Sequence, residues 1–205
     1  MSALLPLESS ALPATRKGRA TRERLLLAAE AIFGERGYEA ARVSDIVAEA
    51  AVSHGLFYRH FPDKQALIVA LCERGEAGLA TAQRAAADAV GGGGPGFGAS
   101  GQAYVRFALA NPGLFRLMMS IRPTTGWLTD VLDEKSAAMR GLRDDVAAVL
   151  PDSADAHQRL AAIHAWSLVH GMAMLMLDGM IPPDEALINS ISAPQFGETQ
   201  NAPVV

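Results

Sequence analysis

The chain has 205 residues, 50% of them hydrophobic and 20% charged, and its formal net charge is −4. The apolar share is too high for a disordered chain and suits one compact domain, or a small module joined to a larger one. The single cysteine, Cys72, excludes an intrachain disulfide and a multi-cysteine zinc site and suits a reducing compartment. Because alanine and leucine are abundant and only 6% of residues are aromatic, we expect an all-α protein.

No targeting or membrane-spanning segment is expected. Residues 1–20 lack the basic start and apolar stretch of a signal peptide. The most apolar run, residues 160–180, is interrupted by two histidines and Asp178, which argues against a membrane span. These features predict a soluble, cytoplasmic protein.

Basic residues are concentrated near the N-terminus. Residues 1–64 hold nine Lys and Arg against eight acidic residues, whereas residues 65–205 hold nine against fourteen. Such a basic stretch can neutralise phosphates, and an acidic protein does not need one for solubility. The clustered positions are Arg16, Lys17, Arg19, Arg22 and Arg24.

Four helices are predicted in the first half of the chain. Residues 1–15 are rich in small residues and proline and show no periodicity, which predicts a mobile arm. Gly37 is a favourable end for the first helix, while Ser53 and Asp63 are favourable N-caps for the third and fourth. Apolar spacing and these caps predict helices over 21–36, 43–50, 53–60 and 64–90.

The second half is expected to be helical after a loop. Residues 91–101 contain seven glycines and one proline, which predicts a flexible loop or linker. Asp184 is an expected N-cap for the last helix, and residues 194–205, which carry no pattern, are expected to be disordered. The predicted helices are 102–110, a short one after Pro112, 128–150, 154–177 and 184–191.

Two short helices joined at residues 51–52, with a third ahead of them, have the layout of a helix-turn-helix. The second helix of such a pair enters the DNA major groove, where base edges are distinguishable. The residues spaced to pack between the helices are Ile46, Val52, Phe57 and Phe61. The residues left facing outward are His54, Gly55, Leu56, Tyr58, Arg59 and His60.

Four segments of this region form a specific pattern: TRERLL at 21–26, FGERGYEA at 33–40, VSDIV at 43–47 and VSHGLFYRHFPDK at 52–64. Together they resemble the tetracycline-repressor-like (TetR) family of transcriptional regulators. With apolar, glycine and aromatic residues in register over most of this region, the resemblance is far more specific than a lone helix-turn-helix pattern.

The resemblance implies two domains and a function. A three-helix DNA-binding domain is expected at 16–64, and a helical domain that binds a small-molecule effector and dimerises is expected at 65–193. In that family the effector changes the spacing of the two DNA-binding domains and so loosens operator binding. The implied protein is a ligand-responsive repressor that binds a palindromic operator as a homodimer and carries no cofactor.

A looser resemblance lies downstream. WSLVHG at 166–171 is similar to the signature of the WHG subtype of C-terminal domain. In that subtype a characteristic stretch precedes the signature. Five residues of this chain resemble that stretch: Tyr104, Phe107, Pro112, Phe115 and Met118.

The residues expected to contact DNA have different roles. Tyr58, His60 and Lys64 are expected at phosphates, although His60, beside Phe61, is equally well explained as a packing residue. The basic cluster adds attraction that does not depend on sequence. The predicted interface is Arg16, Lys17, Arg19, Arg42, Ser44, Ser53, His54, Gly55, Leu56, Tyr58, Arg59, His60 and Lys64.

Some positions depart from the family pattern. Ala51 stands where the turn glycine is usual, His54 where lysine or arginine is frequent, and Leu56 where threonine is common. His54 and Leu56 are expected at base edges, where Leu56 offers a thymine methyl contact but no hydrogen bond. A threonine that commonly caps the second helix and contacts phosphate is also missing, and Arg42 is placed to take over a phosphate or base contact.

Aromatic and apolar residues of the second half are expected to form the effector site. Trp127 and Trp166 are expected to wall an apolar pocket. The polar candidates for orienting the ligand are Arg106, Arg116 and His170. Methionines at helical spacing fill a core more often than they line a pocket. The predicted ligand-binding residues are Phe107, Phe115, Met118, Trp127, Trp166 and His170.

Two other classes of function compete with this one. A helical-bundle enzyme is disfavoured, because the sequence has no paired-carboxylate motif, no Ser-His-Asp spacing and no phosphate-binding glycine loop. His164 and His170 are six positions apart and do not share a helical face, so no metal site is expected. The alternative is a helical interaction or small-molecule-binding protein that has lost specific DNA binding, with His54 and Leu56 as its signs.

Overall fold

The structure, a computed structural model, describes residues 15–120 and 137–191. These residues form helices and no strand, which confirms the all-α prediction. The predicted arm, the predicted tail and the first part of the predicted helix 128–150 lie outside the described residues. The described helices are α1 (Arg16–Ala40), α2 (Val43–Glu49), α3 (His54–His60), α4 (Lys64–Ala89), α5 (Gly93–Ala110), α6 (Pro112–Ser120), α7 (Ala137–Val149), α8 (Asp155–Leu177) and α9 (Glu185–Asn189).

The ends of α1 follow from local chemistry. The helix begins earlier than predicted, because the Thr15 hydroxyl accepts a hydrogen bond of 3.1 Å from the Gly18 N–H. Helical geometry breaks at Gly37, where φ is +73°. Gly37 therefore ends the straight part of α1, as predicted.

Three further predicted caps are confirmed. Ser53 accepts a hydrogen bond of 3.2 Å from the Leu56 N–H at the start of α3. The carboxylates of Asp63 and Asp184 each accept one of 2.7 Å at the starts of α4 and α9. All three caps satisfy a backbone donor that a helix N-terminus otherwise leaves unpaired.

The chain divides into two compact units. Among the described residues, the first comprises 15–75 and 112–120, and the second comprises 76–111 and 137–191. The division falls inside α4, and α6 belongs to the same unit as α1, α2 and α3. The functional domain boundary expected at residues 64–65 stays a prediction.

The core of the first unit is formed by side chains from its helices. Its fully buried residues include Leu25, Ile46, Phe57, Phe61, Leu67 and Phe115. α6 packs closely against α1, because a Cβ atom on Gly113 would lie only 3.1 Å from the Cα atom of Gly34. Ile46, Phe57 and Phe61 are thus buried as predicted.

The glycine-rich segment of the second unit is helical. The predicted flexible loop over 91–101 is wrong, because α5 already begins at Gly93. The turn that precedes α5 contains Gly91 and Gly92, whose φ angles are +82° and +73°. The left-handed region that these angles occupy is one that glycine enters without steric cost.

Packing explains why this glycine-rich sequence becomes a helix. A Cβ atom on Gly96 would lie 3.4 Å from the Ala87 carbonyl oxygen, and one on Gly101 would lie 2.9 Å from Cγ2 of Ile191. These glycines allow α5 to approach its neighbours closely, which offsets the cost of roughly 1 kcal/mol that each glycine carries in a helix. Tertiary contacts therefore outweigh the local preference for a loop.

α8 is apolar on two faces. One face packs against α5 and α7 through residues that include Ala161, Ala162 and Ala165. By length and composition α8 is apolar enough to cross a membrane, with a mean hydropathy of 1.6, contrary to the expectation from the sequence. This is weak evidence for a membrane span, because a core helix of a soluble protein meets the same criterion. The exposed side of α8 carries Leu160, Leu168 and Leu175.

Candidate nucleic-acid interface and ligand cavity

α3 is anchored to the first unit by Phe57, which is fully buried. The Phe57 ring packs edge-on against Tyr58 at 5.2 Å and lies 5.9 Å from the Phe61 ring. These contacts and the Ser53 cap fix the rotation of α3 about its axis. The side of α3 opposite Phe57 is therefore directed outward.

The outward side of α3 carries four of the residues predicted to reach DNA. His54 and Arg59 are exposed, and Tyr58 is 54% exposed. No atom lies within 4 Å of the position that a Cβ atom on Gly55 would take. We call His54, Gly55, Tyr58 and Arg59 the α3 outer face. It combines hydrogen-bonding groups with an open gap, as a helix that enters the major groove requires.

The turn between α2 and α3 contains Ala51 in a left-handed conformation, with φ of +50°. A side-chain-bearing residue is disfavoured in this region, so the turn is strained where the family usually has glycine. Two hydrogen bonds hold it. Arg24 Nη2 donates to the Ala51 carbonyl at 3.4 Å, and the Val52 N–H donates to the Val47 carbonyl at 3.0 Å.

The start of α2 exposes the predicted contact residues Arg42 and Ser44. Asp45 caps this helix, because its Oδ2 atom accepts a hydrogen bond of 3.1 Å from the Arg42 N–H. The same oxygen lies 3.6 Å from Nη1 of Arg36. The backbone of Arg42 is thus held in place while its guanidinium stays exposed.

Lys64 has a structural role that the sequence did not predict. Its ammonium group donates hydrogen bonds of 2.8 Å to the Tyr38 carbonyl and 3.0 Å to the Ala41 carbonyl. It therefore ties the start of α4 to the end of α1. The partners lie 26 and 23 residues away, so no local pattern signals these bonds. The predicted phosphate contact of Lys64 stays a prediction.

His60 and Leu56 are both partly buried. Burial lowers the pKa of His60 below its usual 6.5, and the charges of Arg59 and Arg22 lower it further. A neutral imidazole is thereby favoured. His60 is consequently a weaker phosphate partner than Arg59.

The basic cluster separates into two groups. Arg16, Lys17 and Arg19 are exposed at the start of α1, whose first turn contains no acidic residue. The positive end of the helix dipole adds to their charge. Arg22, in contrast, is partly buried, and its guanidinium lies 5.1 Å from the centre of the Phe61 ring. Arg22 therefore stabilises the fold.

The second unit contains a narrow cavity of about 40 Å³ lined by residues of α4, α5, α7 and α8. Most of its lining is aliphatic or aromatic, as is usual for sites that bind small molecules. The apolar lining residues include Phe97, Tyr104, Met139, Leu142, Trp166 and Val169. Its polar lining residues include Gln83 and Ser100.

A small hydrogen-bond network lies on one side of this cavity. The Tyr104 hydroxyl lies 3.0 Å from Nδ1 of His170, and the Trp166 indole N–H donates to the Tyr104 oxygen at 3.3 Å. The Trp166 and His170 rings also pack at 5.4 Å. Polar atoms that would be costly to bury unpaired are thus satisfied by one another.

The structure does not bring all the predicted ligand-binding residues together at one site. It brings together Trp166, which lines the cavity, and His170, which contacts Trp166 and Tyr104. Phe107 packs beside Gly78, 3.4 Å from where a Cβ atom would stand. Phe115 and Met118 are buried in the first unit. Trp127 lies outside the described residues.

Sequence reasoning missed three polar or partly polar residues that line the cavity, Gln83, Ser100 and Tyr104. Gln83 lies in an alanine-rich stretch and Ser100 in the glycine-rich segment, so each is a polar residue in an otherwise small or apolar context. A lone polar residue among small or apolar neighbours was therefore the sequence signal for Gln83 and Ser100. Within residues 15–120 and 137–191, no group of three His, Cys, Asp or Glu side chains is placed to hold a metal ion.

The fold and the α3 outer face define a helix-turn-helix protein. Residues 25–71 match the family model for bacterial regulatory proteins of the tetR family, and residues 97–190 match that for the tetracyclin repressor-like C-terminal domain. The chain belongs to the tetR family of transcriptional regulators, as the resemblance implied. The expected WHG subtype is not confirmed by these matches and stays a prediction.

Curated relatives match about a quarter of the chain. The HTH-type transcriptional regulator UidR of Escherichia coli K12 is 45% identical over 51 residues, which are 25% of this chain and 26% of UidR. The HTH-type transcriptional activator FasR of Mycolicibacterium smegmatis is 42% identical over 53 residues, 26% of this chain and 24% of FasR. The matches thus span about a quarter of these relatives' length.

Solved structures resemble the chain over most of its length. A protein with unknown function from Rhodococcus sp. RHA1 is 29% identical with a TM-score of 0.67, covering 83% of this chain and 89% of that one. The TetR family transcriptional regulator PfmR from Thermus thermophilus is 21% identical with a TM-score of 0.60, covering 81% and 93%. The likeness to PfmR shows a shared fold.

Proposed function

We propose that the chain is a homodimeric repressor that a small molecule releases from a palindromic operator. The observation that carries this proposal is the α3 outer face, which Phe57 holds outward on the first unit. Two such helices related by a two-fold axis would read half-sites separated by about one helical turn of DNA or a multiple of it. The proposal includes a cytoplasmic location and assigns no catalytic, metal or cofactor role.

In the proposed complex α3 lies in the major groove. The exposed Tyr58 and Arg59 side chains support phosphate contacts, and His54 supports a base-edge contact. Leu56, which is partly buried, is assigned a thymine methyl contact. The remaining assignments are phosphate or backbone contacts by Arg16, Lys17, Arg19, Arg42, Ser44, Ser53, Gly55, His60 and Lys64.

The exposed face of α8 supports homodimerisation. Leu160, Leu168 and Leu175 are 50%, 55% and 45% exposed and fall within one face of the helix. His164 and Gly171 lie on the same face, and no atom lies within 4 Å of the position of a Cβ on Gly171. An apolar stripe with a small residue on it suits close packing against a second copy.

Effector response requires two arrangements of the dimer with different affinities for the ligand. A molecule that bound both arrangements equally well would leave the equilibrium between them unchanged, however tightly it bound. The apolar cavity lined by Trp166 supports effector binding in the second unit. Since α4 runs from Lys64 in the first unit to Ala89 in the second, we assign it the role of lever.

The proposal is tested by gel shift with DNA that flanks the coding gene. A palindromic fragment should shift, and its affinity should fall steeply with salt. Tyr58→Ala and Arg59→Ala should weaken binding to every sequence alike, whereas His54→Ala should change which sequence is preferred. Arg140→Ala, which removes the same charge in the second unit, should bind like the unchanged protein.

The alternative function is a helical binding protein that has lost specific DNA binding. Two observations favour it: the Lys64 ammonium is engaged by two carbonyls, and the pKa of His60 is lowered. A monomer with no affinity for any duplex at low ionic strength would establish this alternative and end the repressor proposal.

A further inference from the structure

Leu168 belongs to two surfaces of the second unit. It lines the narrow apolar cavity of about 40 Å³, and it is also 55% exposed on the outer side of α8. Every other described residue that lines this cavity is buried or partly buried. The wall of the cavity is therefore most exposed at Leu168, which lies within the apolar stripe that Leu160 and Leu175 continue.

The described wall of this cavity contains no charged side chain. The Tyr104 hydroxyl is engaged by His170 and Trp166. Gln83 Nε2 donates to the Ser100 hydroxyl oxygen at 3.4 Å, while Gln83 Oε1 is buried and is not presented to the cavity. Because burial of an ion without a counter-charge costs free energy, the cavity favours an uncharged ligand.

A molecule of several carbon atoms is larger than the cavity. A cavity that holds benzene has a volume of about 150 Å³, whereas this one has a volume of about 40 Å³. Part of the wall must therefore move when such a molecule binds. Buried side chains such as Phe97 and Val169 are held by close packing, whereas Leu168 is exposed on its outer side. Leu168 is thus the lining residue with the most room to move outward.

Outward movement of Leu168 would reach the surface on which a second copy is proposed to pack. Leu168 lies between Leu160 and Leu175 on one face of α8, and this apolar stripe supports homodimerisation. A displaced side chain would add volume to that interface, which a closely packed contact tolerates poorly. Effector binding and close packing of the second copy therefore require different positions of the same side chain.

We infer that the effector is an uncharged apolar molecule that displaces Leu168 outward and so loosens the packing of the second copy. This inference rests on the proposed function, because it names the kind of molecule to which the repressor responds and the route by which binding reaches the dimer. The coupling is reciprocal. If the effector weakens association, association weakens effector binding by the same factor.

The first test compares three probes of equal chain length on the full chain: 1-hexanol, hexanoate and hexylammonium. Calorimetric titration should show 1-hexanol binding at least about tenfold more tightly than either ion. In analytical ultracentrifugation, saturating 1-hexanol should raise the dissociation constant of the dimer by at least about tenfold. Hexanoate at the same concentration should leave that constant unchanged.

Leu168→Ala separates the role of this side chain from ligand binding itself. The shorter side chain leaves space in the wall, so the variant should bind 1-hexanol at least as tightly as the unchanged protein. Its dimer should no longer respond to 1-hexanol. Leu160→Ala makes the same change on the same stripe at a residue that does not line the cavity, so its dimer should still be weakened by 1-hexanol.

A measurement on the unchanged protein guards against a variant that does not fold or dimerise. At protein concentrations below the dissociation constant of the dimer, 1-hexanol should bind at least about tenfold more tightly than at concentrations above it. Equal affinity at both concentrations would overturn the inference, as would a full response in folded Leu168→Ala. It is also overturned if hexanoate or hexylammonium binds as tightly as 1-hexanol, or if 1-hexanol does not bind at millimolar concentration.

A gel shift run in parallel separates this inference from the proposed function. Operator binding by a dimer that 1-hexanol does not weaken would overturn the inference and leave the repressor proposal standing. A dimer that 1-hexanol weakens but that binds no duplex would do the reverse.

Discussion

The ammonium group of Lys64 donates a hydrogen bond of 2.8 Å to the backbone carbonyl of Tyr38. A second bond of 3.0 Å reaches the Ala41 carbonyl. The first residue of α4 is thereby bound to the last turn of α1, and α2 and α3 lie between them along the chain. The position of the helix-turn-helix on the first unit depends in part on this one side chain.

Lys64→Met should therefore destabilise the protein. The variant keeps the aliphatic stem but leaves two partly buried carbonyls without their donor, so the free energy of unfolding should fall by about 1–2 kcal/mol. Urea denaturation measures this change. Lys17→Met, at an exposed site on α1, should alter stability by less than about 0.5 kcal/mol. Equal stability of the two variants would show that the Lys64 bonds do not form in solution.

Ala51→Gly should stabilise the turn between α2 and α3. Ala51 has φ of +50°, a conformation that costs an L-residue roughly 1 kcal/mol and glycine almost nothing. The expected gain is about 0.5–1 kcal/mol in thermal or chemical unfolding. Ala48→Gly, at an exposed position inside α2, should destabilise by a similar amount. A loss of stability in Ala51→Gly would contradict the assigned conformation.

Gly101→Ala should destabilise the second unit. The added methyl group would meet Cγ2 of Ile191 at 2.9 Å and Cγ1 of Val169 at 3.2 Å, so neighbouring atoms must move at a cost of about 1–3 kcal/mol. Gly141→Ala in α7 provides the comparison, because no atom lies within 4 Å of its Cβ position. That variant should gain up to about 1 kcal/mol. Similar effects of both changes on the unfolding midpoint would be inconsistent with the packing of α5.

His60 should make stability depend on pH. Because burial lowers its pKa below 6.5, the unfolded chain binds a proton more readily than the folded chain as the solution becomes acidic. The contribution of His60 to stability is fully present above the pKa that it has in the unfolded chain. This contribution is lost as the pH falls through the pKa that it has in the folded chain. His60→Gln should show a weaker decrease in unfolding free energy between about pH 7.5 and pH 5. Parallel pH profiles for the two proteins would refute the assignment.

Leu175→Glu should weaken the proposed homodimer. The substitution places a charge on the apolar outer stripe of α8, where desolvation on association is unfavourable. Analytical ultracentrifugation should show a dissociation constant raised by at least about tenfold. Leu27→Glu, at a leucine that is 50% exposed on α1, should leave association unchanged. An unaffected dimer in Leu175→Glu would place the interface elsewhere.

The ends of several helices could be read from the sequence because each cap is a local interaction. Ser53, Asp63 and Asp184 accept hydrogen bonds from donors two or three residues away. The position of Phe57 among polar neighbours likewise indicated which side of α3 is buried, since helical periodicity needs no distant contact. The α3 outer face was therefore predictable from the sequence.

The sequence by itself determined the helical class, most helix ends and which side of α3 faces outward, because these depend on residues within one or two turns of each other. Only the tertiary structure decided that residues 93–101 are helical, since the close approach of α5 to its neighbours outweighs the local cost of glycine. It likewise placed Phe115 and Met118 in the core of the first unit and gave Gln83 its buried, unpaired oxygen. These features depend on residues distant in the chain, whose proximity no local pattern encodes.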